Sequence, residues 1–470
     1  MTWTLANLAG QGRPSWTPRL AVLVAGGPTC AALALGGFTI ATAGSVKSVG
    51  CRATDLSTAL ASAGSGATLR LAAGCTYKLA SGQTARVSLT ILGNGSTLEP
   101  AAASPAMTML TVDAGAVVSI SNVTMTGGSA PASGGGAAIV NKGTLTITSG
   151  TFTADRAPSG GGGAIASSGT LVVGNSHFSG DQAGPDGGSI DSTGPLTIND
   201  SAFTGSTATG SGGAIYADYS PVTVSHSVFV GDSAVSGGAI EAVGSGPLTV
   251  TASDFIRNRA TGTTGTGGAI ETDGAFSTAI QSSDFSANRA GSAGGAIDAL
   301  EGTLTLTSTE FRRNSAARDG GALALFGGSA GDTVTITGGG YAGDSATGAR
   351  ARGGAIYAES ATAASTLAVT GATFESDRAT HGEGGAIWTA GLTASVGGTR
   401  LAGNAATDGG AFYNSGSGSK LTVSGGDLVS NKASHRGGAI YNTGAAALSR
   451  VTISDNTPDN CAPAGSVAGC

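Results

Sequence analysis

A glycine pair followed by a small residue and an apolar one recurs twelve times between residues 135 and 440. It opens as Gly135-Gly136-Ala137, with one further alanine before Ile139. It continues as Gly162-Gly163-Ala164-Ile165, Gly187-Gly188-Ser189-Ile190, Gly212-Gly213-Ala214-Ile215 and Gly237-Gly238-Ala239-Ile240. Later copies close on Ile270, Ile297, Leu323, Ile356, Ile387, Phe412 and Ile440. Successive closing residues lie 25 to 33 apart, so the base unit is about 25 residues and the longer steps carry loop insertions. A unit that short cannot bury an apolar face by itself. Units stacked in register can, which makes the chain a solenoid.

Two further columns run through the same period. Phe152, Phe178, Phe203, Phe229, Phe255, Phe285, Phe311, Tyr341 and Phe374, then Leu401 and Leu428, hold one position of the unit. Three residues after each comes Asn, Asp or Ser, from Asp155 through Asn258 to Asn431, and five residues after each comes alanine. Short alternating stretches such as Leu145-Thr146-Ile147 and Leu421-Thr422-Val423 place Leu, Ile and Val inward and Thr outward. Asn and Asp suit left-handed turn positions, so their column is expected to mark a corner of every coil. With 82 glycines in 470 residues a helical fold is excluded, because glycine costs about 1 kcal/mol per helix position. A hydrophobic content of 40% excludes disorder, and glycine shows no collagen period. The horseshoe pattern Leu-x-x-Leu-x-Leu and the nine-residue calcium β-roll repeat are both missing.

The expected fold is therefore all-β: a right-handed parallel β-helix of roughly 12–15 coils, about 4.8 Å per coil and roughly 60–70 Å long. A short helix at Asp55–Leu60, with Asp55 as N-cap and Leu56, Ala59 and Leu60 on one face, is expected to cap its open end. Residues 1–43 read as a signal peptide. Arg13 and Arg19 precede the apolar stretch Leu20 to Ile40, and Ala41-Thr42-Ala43 offers a cleavage site. The remaining organisation is an N-terminal cap at 44–86, β-helix repeats at 87–456 and a tail at 457–470, with no transmembrane segment after cleavage.

Cleavage would remove Cys30 and leave Cys51, Cys75, Cys461 and Cys470, two at each end. An exported chain would oxidise them. Of the three connectivities, Cys51–Cys75 with Cys461–Cys470 fits an elongated body, because bridged Cα atoms lie within about 7 Å. Free buried thiols are the alternative. The net charge of −6 and the lack of a basic block argue against nucleic acid as a partner.

The repeats resemble those of the polymorphic outer membrane proteins of chlamydiae, whose signatures are Gly-Gly-Ala-Ile and Phe-x-x-Asn. Both stand together here: Gly237-Gly238-Ala239-Ile240 with Phe255 and Asn258, Gly267-Gly268-Ala269-Ile270 with Phe285 and Asn288, and Gly294-Gly295-Ala296-Ile297 with Phe311 and Asn314. The likeness covers residues 135–456. The layout of Cys51 and Cys75, repeats and cysteine tail is similar to secreted β-helix repeat proteins of actinobacteria. The resemblance implies the pectin-lyase-like fold and an exported or cell-surface protein; a C-terminal membrane barrel of the chlamydial kind is not expected.

That fold serves adhesins and polysaccharide enzymes alike, so chemistry must be read from side chains. The polygalacturonase motifs Asn-Thr-Asp, Asp-Asp, Gly-His-Gly and Arg-Ile-Lys do not occur, nor do the pectate-lyase patterns Trp-Ile-Asp-His and Arg-x-Pro-x-x-Arg. The position after each closing apolar residue, expected to face outward, holds two clusters. Glu241, Glu271 and Asp298 fall on consecutive coils, with Asp218 and Asp273 two residues further along their strands. Stacked carboxylates repel, so this column suits a bound Ca²⁺, a shared proton, or side chains splayed into water. As catalytic groups, Glu241 and Asp298 would stand near the inverting-glycosidase spacing, about 10 Å apart.

Tyr357, Trp388, Tyr413 and Tyr441 form an aromatic column on four consecutive coils, a platform for glycan or protein contact or else a structural ladder. His381, Asp408 and His435, each seven residues past its core marker, are a weaker candidate for Zn²⁺ or proton transfer. Arg257, Arg259, Arg289, Arg312, Arg313 and Arg378 read as solvated charge. The expected function is a non-catalytic adhesion scaffold that binds a polysaccharide or a cell-surface protein, without a cofactor unless Ca²⁺ binds. The alternative is a polysaccharide lyase or glycoside hydrolase using Asp218, Glu241, Glu271, Asp273 and Asp298.

Overall fold

Every strand pairing in the main sheet is parallel, and the partners are the same position of the unit one coil on: Ile215 pairs with Ile240, Ile240 with Ile270, and Ile270 with Ile297. The computed structural model describes residues 45–102, 104–132, 134–244, 246–327, 331–361 and 364–470. The signal-peptide and cleavage expectations, and Cys30, lie outside the described residues. The fold is a right-handed parallel β-helix of about 15 turns, with one helix among the described residues. Parallel pairing runs from Val46–Val49 at one end to Val467–Ala468 at the other, beyond residues 87–456 on both sides.

The helix spans Ala53–Ala61 and buries Leu56, Ala59 and Leu60 on the first coils, as their spacing requires. Its N-cap is Arg52. Asp55 sits inside the first turn instead, where its carboxylate accepts the Arg52 backbone N–H at 3.3 Å. Cys51–Cys75 and Cys461–Cys470 are both bridged, with Cα atoms 5.6 and 6.3 Å apart.

The aromatic marker is the core. From Phe152 to Phe374 nine rings stack at 4.4 to 5.0 Å, each within 12° of parallel to the next. Each glycine of the repeated pair answers a different constraint. Gly237 has φ +56°, which only glycine takes without strain, and a Cβ on Gly238 would lie 2.1 Å from the Gly268 carbonyl oxygen of the next coil. In the first copy Gly136, with φ +67°, takes the left-handed place and Ala137 the second, which accounts for the extra alanine before Ile139.

The Asn/Asp column differs from expectation. The left-handed residue at that corner is the one before it, such as Ala154, Gly180, Gly231 or Arg257. The Asn and Asp side chains turn inward and are buried. Asn258 Oδ1 accepts the Asp232 N–H at 2.9 Å, and its Nδ2 donates to Asn288 Oδ1 and to the Phe229 carbonyl, both at 3.1 Å. The same ladder repeats through Asn288, Asn314, Asn404 and Asn431. It satisfies backbone N–H groups that the corner takes out of the sheets.

Candidate functional site

Both clusters seen in the sequence stack in register: Tyr216, Glu241, Glu271 and Asp298 follow one another, then Ala324, Tyr357, Trp388, Tyr413 and Tyr441. Neither forms the open outward face that was expected. Glu241, Glu271, Asp298, Tyr357, Trp388 and Tyr441 are buried, and Tyr413 is half-buried.

A column absent from the sequence reading covers them. It is made of the residues before the glycine pairs, from Asp186, Ser211, Ser236, Thr266 and Ala293 to Asp319, Arg352, Glu383, Asp408 and Arg436; Thr266, Arg352, Glu383 and Arg436 each contact the residue five positions later. Bridges between successive coils, such as Asp319 to Arg352, Arg352 to Glu383 and Glu383 to Asp408, tie this shelf together. The signal was present in the sequence as one more fixed position of the repeat. Its varied residue types hid it.

Over the aromatic half the shelf is charged. Arg352 holds Asp319 through two 2.9 Å bonds, and its guanidinium lies 4.3 Å from the Tyr357 ring centroid and 4.9 Å from that of Trp388. Trp388 Nε1 donates to Glu383 at 3.0 Å, and Arg436 lies 4.7 Å over Tyr441. Below them Tyr357 and Trp388 stack at 4.9 Å, as do Tyr413 and Tyr441.

Over Glu241, Glu271 and Asp298 the shelf residues Ser236, Thr266 and Ala293 are neutral. Thr266 Oγ1 and the Gly237 N–H donate to Glu271 Oε2 at 2.8 and 3.2 Å. Burial raises the Glu271 pKa, and burial with the Glu271 charge pushes Glu241 up to about 8. Asp191, one coil before Tyr216, rises to about 6 through burial and the charges of Asp186 and Asp218. Asp298 is fully buried, neither carboxylate oxygen has a hydrogen-bond partner among the described residues, and its pKa is raised well above the usual range. Asp218 is half-buried and Asp273 exposed. They lie two coils apart, with Val243 between them in the register. Among the described residues no three His, Cys, Asp or Glu groups come together as metal ligands.

The third constellation is partly assembled. His435 Nδ1 lies 3.2 Å from Asp408, which Arg436 also holds at 3.3 Å. His381 faces a surface cavity of about 500 Å³ that it shares with Arg318, Asp319, Arg350, Arg352, Glu383 and Asp408. A second cavity, of about 340 Å³, adjoins it through His381 and Thr407 and adds Arg378 and Lys432. Of the arginines read as solvated, Arg312 pairs with Asp284 and Glu310.

The class defined by this fold is a parallel β-helix repeat protein. No protein-family model matches the chain, and no curated protein matches it. Among solved structures, tailspike protein 3 of bacteriophage CBA120 is similar at 14% identity with a TM-score of 0.35, over 87% of this chain. The chain spans 58% of the tailspike chain, and a likeness at this level carries no argument about function. Among the described residues no helix is long and apolar enough to cross a membrane.

Proposed function

We propose that the protein is an exported, non-catalytic β-helix scaffold that binds glycans along the corner groove formed by the two joined cavities. One contrast carries this reading. The carboxylate and aromatic columns are built into the wall of the β-helix, whereas the adjoining cavities are open and carry charged and polar side chains beside alanines. The two disulfides support export, as does the likeness of the repeats to those of chlamydial surface proteins.

A second reading rests on Asp298 and Glu241. Buried carboxylic acids with raised pKa values are what the general acid of a glycosidase requires, so hydrolysis or lyase chemistry at Glu241, Glu271 and Asp298 is the alternative. One experiment separates the two. The protein is incubated with a polysaccharide panel, and both retention and chain length are followed. Retention without shortening is expected. Shortening that disappears in the Glu241→Gln, Glu271→Gln, Asp298→Asn triple variant would establish the enzyme instead.

A further inference from the structure

Four cations on one corner of the β-helix have no acidic partner: Arg318, Arg350, Arg378 and Lys432 form no ion pair among the described residues. Arg318 and Arg350 line the larger cavity and Arg378 and Lys432 the smaller, with His381 and Thr407 common to both. The two cavities therefore share an edge. Arg318, Arg350, Arg352, Arg378 and Lys432 outnumber Asp319, Glu383 and Asp408 along the two cavities, and Asp319 and Asp408 are already paired with Arg352 and Arg436. The field left at the mouth is positive, in a chain whose net charge is −6.

The spacing of these cations is set by the solenoid. Arg378, Ala405 and Lys432 are register partners on successive coils. The bridges from Asp319 through Arg352 and Glu383 to Asp408 put Arg318, Arg350, His381 and Thr407 on the same succession. Positive charge thus recurs every one or two coils, at about 4.8 Å per coil. That is a track for a linear polymer with regularly spaced negative charge rather than a socket for a single anion. Guanidinium forks match carboxylates in bidentate geometry. Neither cavity is lined by Phe, Tyr or Trp, so nucleic-acid bases would lack the row of large rings on which single strands stack.

We infer that this groove binds a linear polysaccharide bearing carboxylates, a uronate polymer, with Arg318, Arg350, Arg378 and Lys432 contacting its acid groups. The inference rests on the glycan-binding reading above and names the class of glycan. The test titrates the full chain with alginate, with the propylene glycol ester of alginate, with dextran and with a single-stranded oligonucleotide. Alginate is expected to bind, and its affinity to fall on the order of tenfold between about 50 and about 300 mM salt. The ester and dextran are expected not to bind. Replacing all four cations by Gln should abolish binding with the melting temperature held, and replacing the three arginines by Lys should retain most of it.

Ester or dextran bound as well as alginate would overturn the charge reading and leave the glycan scaffold standing. Polysaccharides all failing to bind would overturn both. A preference for the oligonucleotide would overturn the ligand class. Undiminished alginate affinity in the four-Gln variant would move the site elsewhere and sink the inference.

Discussion

Trp388 Nε1 donates a 3.0 Å hydrogen bond to Glu383, the residue five positions earlier that lies across the same bend. Arg352 lies over the Trp388 ring, and Tyr357 and Tyr413 stack below and above it in the register. The indole is thus enclosed on its faces and satisfied at its edge, which makes it part of the scaffold.

Trp388→Ala should therefore lower stability by roughly 3–5 kcal/mol, the range for emptying a buried aromatic site. Trp388→Phe, which keeps the stack and loses the hydrogen bond, should cost about 1 kcal/mol. Denaturant unfolding measures both. Glycan affinity of the Trp388→Ala, Tyr413→Ala double variant, measured where it remains folded, should match wild type. A selective loss of affinity at unchanged stability would restore the aromatic column as a contact surface.

Stability should fall as pH rises from acid to alkaline. In the internal ladder burial pushes Asp181 up to about 7 and Asp232 up to about 8. The native state then holds these protons more tightly than the unfolded chain does. Their contribution is complete below the unfolded carboxylate pKa of about 4 and is lost as pH rises through about 7 to 8. Among the described residues Asp232 Oδ2 has no hydrogen-bond partner, and at the same place in the ladder Asn258 carries a donor to a core carbonyl. Asp232→Asn should raise the melting temperature at about pH 8.5 and flatten its pH dependence. Melts at about pH 5 and about pH 8.5 check the sign; a wild type more stable at the higher pH would contradict it.

Gly238→Ala should be among the most damaging single substitutions. The added Cβ would meet the Gly268 carbonyl oxygen at 2.1 Å and Arg259 backbone atoms at 2.7 Å, none of which can swing aside. A cost of about 3 kcal/mol or more is expected, against a near-neutral Gly64→Ala, whose Cβ would meet nothing within 4 Å. Thermal melts of the two variants side by side decide it.

Calcium should leave the melting temperature unchanged up to about 10 mM, well above the dissociation constants of extracellular calcium modules. No three ligating groups converge among the described residues, and burial raises the pKa values of Glu241, Glu271 and Asp298, which favours a proton over a cation there. The Glu241→Gln, Glu271→Gln, Asp298→Asn variant should gain stability at about pH 8, because its side chains need no proton there. A calcium-dependent rise in wild type that the triple variant lacks would show a cation site at these residues.

Most of the architecture could be read from recurrence. Phe152 to Phe374, the glycine pairs and the cysteine pairs each repeat or flank the repeat in a way that fixes coil length, core and the two bridges, and the structure keeps those while carrying the pairing past residues 87–456 on both sides. The acidic and aromatic columns were also legible as columns, because register between identical coils follows from the period. Their exposure was not. The residue after Ile240 or Ile387 points away from the core, and alternation alone makes that direction solvent.

The amino-acid sequence by itself determined the period, the stacking and which side chains share a column, since every coil repeats the same backbone path. Only the tertiary structure decided what lies outside each column. There the bend at each glycine pair folds the preceding residue, Glu383 over Trp388 or Thr266 over Glu271, back across the strand. Contacts of that kind join positions whose residue types vary from coil to coil, so no pattern announces them. The same bends bring Arg318, Arg350, Arg378 and Lys432 to one groove from four coils, a grouping that spacing along the chain does not show.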